Sequence, residues 1–476
     1  MSYGELADLR EECGVLGVYG VQTDMVGLMY MGLFALQHRG EESAGIAVSD
    51  GQEIRLRKAQ GLVSDVFSPE HLQELSTVNP LLGIGHVRYS TTGGTGLANA
   101  QPFVIRYLQG NFALAHNGNL ANTDDLRKEM ELDGQVFQTN SDSEVILNLI
   151  SRYRREDIVS AIRHGLSQVK GAYSLVMLSD DKLIAVRDPR AFRPLVLGRL
   201  GEGYVVASES AAFDAMGAEL VRDLEPGEIL VIDSEGLHSE RLGPEPPRAS
   251  CVFEYVYFAR VDSVIDGLNV HQVRRRLGQM LAQERPADAD IVIGVPDSAL
   301  PAAVGYALES GLPYEDGFVK NRYIGRTFIQ PGQSLRELKV RLKLNPNRHV
   351  VEGKRVVVID DSIVRGTTTK GRVQALREAG AKEVHFRIAC PPYKSPCLYG
   401  IDTADQSELV AATHSLEEIR QLIGADSLGY LSLPGLLKAV TGSGYCLACL
   451  NGDYPERFGS AACNGSCQGF AAKDVK

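Results

Sequence analysis

The chain has no excess of positive charge: 49 Lys and Arg stand against 60 Asp and Glu, a net charge of −11. A surface built to grip nucleic-acid phosphates needs the opposite balance, so an anionic substrate must be met by local cations. Nor is there an apolar run long enough to span a bilayer, and residues 1–12 are polar and acidic, without the apolar core of a signal peptide. These absences predict a cytosolic protein. Internal repeats are missing too, and a short proline-rich stretch is the sole low-complexity segment. What is present is bulk: 476 residues, 44% hydrophobic, enough for roughly two or three domains. In a reducing compartment its eight cysteines are better explained by metal ligation or catalysis than by disulfides.

Short β-rich runs at 112–115, 173–178, 182–186, 204–207 and 228–232, separated by Gly, Asp and Pro, predict a sheet-rich first domain. Apolar spacing near 3.6 over 142–153 and 157–169 predicts helices laid against it, giving a layered α+β unit. The stretch Gly243-Pro244-Glu245-Pro246-Pro247-Arg248 cannot continue a central strand and sets the domain boundary. Beyond it, apolar strands at 291–295, 355–359 and 383–388 alternate with helical segments such as 367–379, stopped by Gly380. That alternation is the pattern of a doubly wound parallel α/β sheet, which binds ligands at the C-terminal ends of its strands.

One such strand end reads Ile359-Asp360-Asp361-Ser362-Ile363-Val364-Arg365-Gly366-Thr367-Thr368. Backbone N–H groups and Thr hydroxyls at a helix N-terminus suit a phosphate, because unpaired donors and the helix dipole both favour an anion. Adjacent carboxylates suit ribose hydroxyls or Mg²⁺. An ordinary Asp-capped turn would explain Asp-Asp-Ser alone, but the whole stretch closely resembles the phosphoribosyl pyrophosphate (PRPP) fingerprint of type I phosphoribosyltransferases. The resemblance implies that Asp360 and Asp361 face the ribose and metal, and that Ser362 and the turn Arg365, Gly366, Thr367 and Thr368 hold PRPP by its 5′-phosphate. Gly294-Val295-Pro296-Asp297-Ser298 lies where that family has its pyrophosphate loop, with Ser298 a metal ligand by resemblance. Between them runs a basic island from Lys320 through Arg326 to Lys343. A charge run is ordinarily a solvated face; its Gly and Pro punctuation predicts instead a flap that closes over pyrophosphate, Arg326 included, and excludes water.

In the first domain, Cys13 opens an apolar run, where a cysteine is ordinarily inert packing. Its companions change the reading. Gln37-His38-Arg39-Gly40-Glu41-Glu42, His86-Val87-Arg88-Tyr89-Ser90-Thr91, His116-Asn117-Gly118-Asn119-Leu120 and Asn140-Ser141-Asp142-Ser143-Glu144 are similar to the ordered motif set of class II glutamine amidotransferases. Those are N-terminal-nucleophile hydrolases, so the resemblance implies cleavage after Glu12 and a Cys13 carrying both thiol and α-amine. An α-amine with pKa about 7.7–8 can take the thiol proton and return it to the leaving ammonia. By resemblance Asn117 and the Gly118 N–H form the oxyanion hole, Arg88 clamps the glutamine α-carboxylate and Asp142 its α-ammonium.

The two motif systems in this order resemble the glutamine PRPP amidotransferase family over essentially residues 1–450. The expected fold is an α+β N-terminal-nucleophile hydrolase domain (13–242) after a propeptide (1–12), then an α/β doubly wound type I phosphoribosyltransferase domain (251–476). The implied reaction joins PRPP, glutamine and water to give 5-phosphoribosylamine, glutamate and pyrophosphate, the first committed step of purine synthesis. A homotetramer, inhibition by purine nucleotides, Mg²⁺ and no nucleic-acid or membrane partner are further implications. The family often has Gly where this chain has Ala191, which leaves one turn's geometry open. Other class II amidotransferases share the cysteine system but lack the Asp360–Asp361 fingerprint; a non-catalytic PRPP-sensing regulator would need neither Cys13 nor the basic flap.

The remaining cysteines allow two sets. Cys446 and Cys449 with Cys463 and Cys467 would make a local zinc site; with Cys251 and Cys397 they would hold a [4Fe–4S] cluster. Spacing leaves both open. The resemblance favours the cluster, because one branch of the family combines a cleaved propeptide with cysteines in these contexts, whereas Cys390 reads as packing. The mature protein is expected to begin at Cys13. Intact mass of the active enzyme checks this, and full activity with residues 1–12 retained would sink the N-terminal-nucleophile mechanism.

Overall fold

Two antiparallel sheets stacked face to face carry the first half of the chain. A computed structural model describes residues 13–89, 96–107, 110–153, 157–321, 344–401 and 405–456. The first sheet has seven strands in the order Glu219–Asp223, Val196–Leu200, Gly203–Ala207, Gly14–Tyr19, Leu82–Arg88, Ser43–Ser49 and Ile54–Gln60. The second has six, in the order Gly236–Arg241, Glu228–Asp233, Lys182–Arg187, Gly171–Ser179, Gly110–Leu120 and Phe103–Tyr107. Each β-rich run read from the sequence lies inside one of these strands.

Val15, Ile84, Ala113, Ala115, Val176 and Leu178 from both sheets fill the layer between them. The outer face of the seven-stranded sheet takes helix Met25–Ala35, through Met29 and Leu33. The other outer face takes Asp142–Arg152 and Ile158–Leu166, the two helices expected from periodicity. Strands covered on both faces lose the clean apolar–polar alternation; Gly14–Tyr19 and Gly171–Ser179 are buried throughout. The result is the four-layer α-β-β-α arrangement expected of an N-terminal-nucleophile hydrolase.

The second half is built on four parallel strands, Ile291–Gly294, Arg355–Asp360, Glu383–Ile388 and Ser427–Tyr430. From Arg355–Asp360 the chain passes through helix Thr367–Glu378 to the neighbouring strand Glu383–Ile388. From Ile291–Gly294 it passes through helix Leu300–Ser310 the other way, to Tyr314, which bridges Val292 in parallel. Right-handed crossovers in opposite directions put the two helices on opposite faces and open a crevice between the strand ends at Gly294 and Asp360.

The proline-rich stretch separates strand Gly236–Arg241 from the segment whose core begins at Val252. Ala191 adopts a φ of +53° and is fully buried, so the turn it shares with Asp188 is one that glycine would enter without strain. No helix among the described residues is long and apolar enough to cross a membrane. Residues 1–12, Arg326 with the flap body 322–343, and Cys463 and Cys467 lie outside the described residues.

Candidate functional sites

Cys13 stands at the mouth of the central strand of the first sheet, hydrogen-bonded on either side by Leu82–Arg88 and Gly203–Ala207. Its thiol donates to the Tyr89 carbonyl at 3.4 Å. Burial pushes the thiol up to about 11, against the pull of that hydrogen bond and of Arg88. At neutral pH it therefore holds its proton, and a nucleophile there needs a base at contact distance. Asn117 lies on the facing sheet, opposite Ser174. It is buried, and its Nδ2 finds no hydrogen-bond partner within the protein, as an oxyanion donor awaiting its acceptor would. Gly118 beside it has φ +147°, and a Cβ there would stand 2.1 Å from the Ala172 carbonyl oxygen, so only glycine allows this strand to keep its place.

Asp142 begins its helix and accepts from the Leu120 N–H at 3.1 Å. Burial alone would raise its carboxyl, but His116, 3.7 Å away, and the hydrogen bonds hold it below the usual range, as an ammonium receptor requires. Arg88 is buried and pairs with Glu42 at 3.1 Å. His86 Nε2–H donates to the His116 carbonyl, 3.0 Å away; burial drives it down to about 3, so it stays neutral beside Arg88. The structure thus places Cys13 and Arg88 at strand ends of one sheet, Asn117 and Gly118 on a strand of the other, and Asp142 at the helix N-terminus bonded to that strand's last residue.

The second site occupies the crevice of the parallel sheet. Asp360 ends its strand and pairs with Arg372 from the following helix; its Oδ1 accepts from the Asp361 N–H at 3.1 Å. The Asp361 carboxylate accepts from the Ser362 hydroxyl at 2.6 Å and from the hydroxyl of Ser298, which comes from the neighbouring strand's end. Gly366, at φ +78°, forms the left-handed turn into helix Thr367–Glu378, whose first N–H groups face no capping side chain. Arg365 is held by Glu408 at 2.9 Å. Lys320, where the flap starts, pairs with Asp297 of the pyrophosphate-loop segment. Sequence reasoning missed Arg372, and also Thr369, whose buried hydroxyl lacks a partner within the protein; a third consecutive Thr at the helix start was the available signal for the latter.

Cys251, Cys397 and Cys446 lie close enough to Cys449 to act on its thiol. Cys251 and Cys446 are register partners in a two-stranded parallel ladder. The Cys449 carbonyl accepts the Lys394 and Ser395 N–H groups, at 2.8 and 3.0 Å, next to Cys397. Burial first, and then Cys397, Cys446 and Cys251, push the Cys449 thiol well above its ordinary value. Among the described residues no group of three or more His, Cys, Asp or Glu side chains stands in metal-holding geometry. Cys390 is buried behind Asp360 and Asp361.

A glutaminase-type nucleophile site on a four-layer domain, joined to a phosphate crevice on a doubly wound domain, defines a bifunctional class: an amidotransferase coupled to a phosphoribosyltransferase. Residues 86–215 match the family described as glutamine amidotransferase domain, and 261–403 the phosphoribosyl transferase domain family. The chain is 51% identical over 458 residues to Bacillus subtilis amidophosphoribosyltransferase, covering 95% of each. The solved glutamine PRPP amidotransferase of B. subtilis, complexed with ADP and GMP, superposes with a TM-score of 0.88 at 51% identity, covering 93% of this chain and 97% of that one. A second solved structure, an allosteric regulatory enzyme of purine biosynthesis, gives 0.90 at 50% identity, over 95% and 98% of the two chains. The chain belongs to the amidophosphoribosyltransferase family.

The division of labour makes a testable split. Cys13→Ala abolishes glutamine use yet keeps synthesis from concentrated ammonia, Asn117→Ala lowers glutamine turnover by ~10²–10³, and Asp361→Asn removes both activities. Assays with glutamine and with ammonium salt side by side decide it; a folded Cys13→Ala that also loses the ammonia reaction would show that the sites are not separate.

Proposed function

We propose that the protein transfers the amide nitrogen of glutamine to C1 of PRPP, yielding 5-phosphoribosylamine, glutamate and pyrophosphate, as the committing step of purine synthesis in the cytoplasm. What supports this is the presence of two candidate sites on one chain: the Asn117 amide without a protein partner on the sheet facing that of Cys13, and the Ser298–Asp361 pair at the switch of the parallel sheet.

After release of residues 1–12, the Cys13 α-amine takes the thiol proton that burial otherwise retains. The sulfur attacks the glutamine amide carbon, Asn117 Nδ2 and the Gly118 N–H meet the developing oxyanion, and the ammonium formed at the α-amine returns its proton to the leaving nitrogen. Water then frees glutamate from the thioester. Arg88 and Asp142 fix the substrate by its carboxylate and ammonium. In the second site the Thr367 and Thr368 N–H groups and hydroxyls receive the 5′-phosphate, and Arg365, Ser362 and the basic flap with Arg326 steady PRPP while ammonia displaces pyrophosphate.

Mg²⁺, when bound, neutralises pyrophosphate charge; the Asp361 carboxylate, already accepting two hydroxyls, would hold it with Ser298 and Asp360. Purine nucleotides as inhibitors and a homotetramer complete the reading. Purified protein given glutamine, PRPP and Mg²⁺ is expected to release glutamate and pyrophosphate in equal amounts, with slow glutamate release when PRPP is omitted; unequal yields or PRPP-independent hydrolysis would argue against a coupled reaction.

Cys251, Cys397, Cys446 and Cys449 suit a [4Fe–4S] cluster: their thiols disfavour each other's ionisation, a cost that iron ligation removes. With no redox step in the reaction, its role is structural. Anaerobic preparation should give a brown protein with about four irons per chain, lost on Cys397→Ser and kept on joint Cys463→Ser and Cys467→Ser; stoichiometric zinc that depends on the latter pair would overturn the assignment.

A further inference from the structure

Among the described residues of the glutaminase motifs, Arg39 touches both the nucleophile's own backbone and the other domain. It closes the short helical turn Gln37–Arg39 and is buried, with 2% of its surface exposed. Its Nε donates to the Cys13 carbonyl at 3.0 Å. Its terminal nitrogens reach Glu209 at 2.5 Å and both oxygens of Glu254, at 2.8 and 3.0 Å. Glu209 belongs to the first domain, where His38 also meets it at 2.8 Å. Glu254 opens a π-helical turn, Glu254–Phe258, in the second.

That turn is not free to move alone. The carbonyls of Tyr255, Tyr257 and Ala259 are taken by Arg274 of helix Val270–Glu284, at 2.8–2.9 Å. Arg274 is buried, which pulls it down to about 10, and the charge nearest in effect opposing this is Asp361 of the PRPP site. One continuous set of buried contacts therefore runs from Arg274 through the π turn, Glu254 and Arg39 to the Cys13 carbonyl, and the Asp361 charge acts on its Arg274 end. Arg39 has two carboxylate anchors, one in each domain, so a small movement of the π turn redistributes it between them and shifts the carbonyl next to the thiol.

We propose that Arg39 and Glu254 are a positioning pair that makes glutamine cleavage at Cys13 answer to occupation of the PRPP crevice. The proposal rests on the coupled reaction inferred above. It predicts that loosening Glu254 uncouples the sites without harming either chemistry. A coupling of this kind is typically worth 5–150-fold.

The experiment uses the full processed chain with Glu254→Gln and Glu254→Asp. Arg39 keeps Glu209 as its counter-charge in the first, and the second keeps the buried charge but shortens its reach. The quantity read is glutamate release with PRPP divided by release without it, alongside ammonia-dependent synthesis and the thermal midpoint. Glu254→Gln is expected to lower that ratio at least about 5-fold, and Glu254→Asp to lower it less, with ammonia-dependent synthesis unchanged in both. Should Glu254→Gln not fold, the Glu254→Asp ratio decides alone. A wild-type ratio in the variants, or a ratio that falls only in step with ammonia-dependent synthesis and thermal midpoint, overturns the proposal and leaves a plain structural brace. A wild-type enzyme that never couples glutamate to pyrophosphate would instead sink the underlying reading.

Discussion

A buried guanidinium beside the nucleophile needs its charge balanced, and the Glu209 and Glu254 carboxylates do this for Arg39 at the junction of the two domains. Burial would raise the Glu209 carboxyl, yet His38, Arg39 and the Ser263 hydroxyl hold it far below its usual range. Removing one partner of such a set strands a charge in the interior, at a typical cost of about 3–5 kcal/mol. The set therefore ties the two domains together, and Cys13, bonded through its carbonyl to the same arginine, is tied to it.

Other contacts tie the domains at the oxyanion strand. Asn119 Nδ2 donates to the Leu398 carbonyl at 3.1 Å, Arg193 donates to the Tyr399 carbonyl, and the Phe192 and Tyr399 rings stack with centroids 4.1 Å apart. Cys397 sits two residues before Tyr399, whose N–H donates to its sulfur at 3.3 Å. The strand carrying Asn117 and Gly118 is thus braced by a loop that begins with Cys397. Free ammonia would protonate and diffuse away in water, and domains locked this closely suit a reaction whose intermediate must pass between sites.

The phosphoribosyl crevice follows from topology alone. Reversal of crossover direction at Ile291–Gly294 leaves the strand ends at Gly294 and Asp360 uncovered, and the carboxylates, the Ser298 hydroxyl and a helix N-terminus meet there. An acidic chain handles a polyanionic substrate by this local concentration of N–H groups and arginines, with no need of a basic surface.

Period and punctuation in the sequence marked several strands and helices of both domains, because those elements repeat their own local spacing and stop at Gly or Pro. Motif order likewise picked out the residues proposed to face glutamine and PRPP, since Cys13, Asn117, Asp142 and Asp361 lie in short contiguous signatures. Spacing could not decide what pairs with what at long range. Glu209 and Glu254 lie 170 and 215 residues from Arg39, Ser298 lies 63 from Asp361, and Cys251 meets Cys446 across a two-residue ladder. The sequence named Arg39 within a motif but gave it no partner, and left Arg372 and Thr369 unmarked. Only the tertiary structure decided these, because a buried charge or hydroxyl is satisfied by whatever the packed chain brings within about 3 Å, and that neighbour carries no signature of its own.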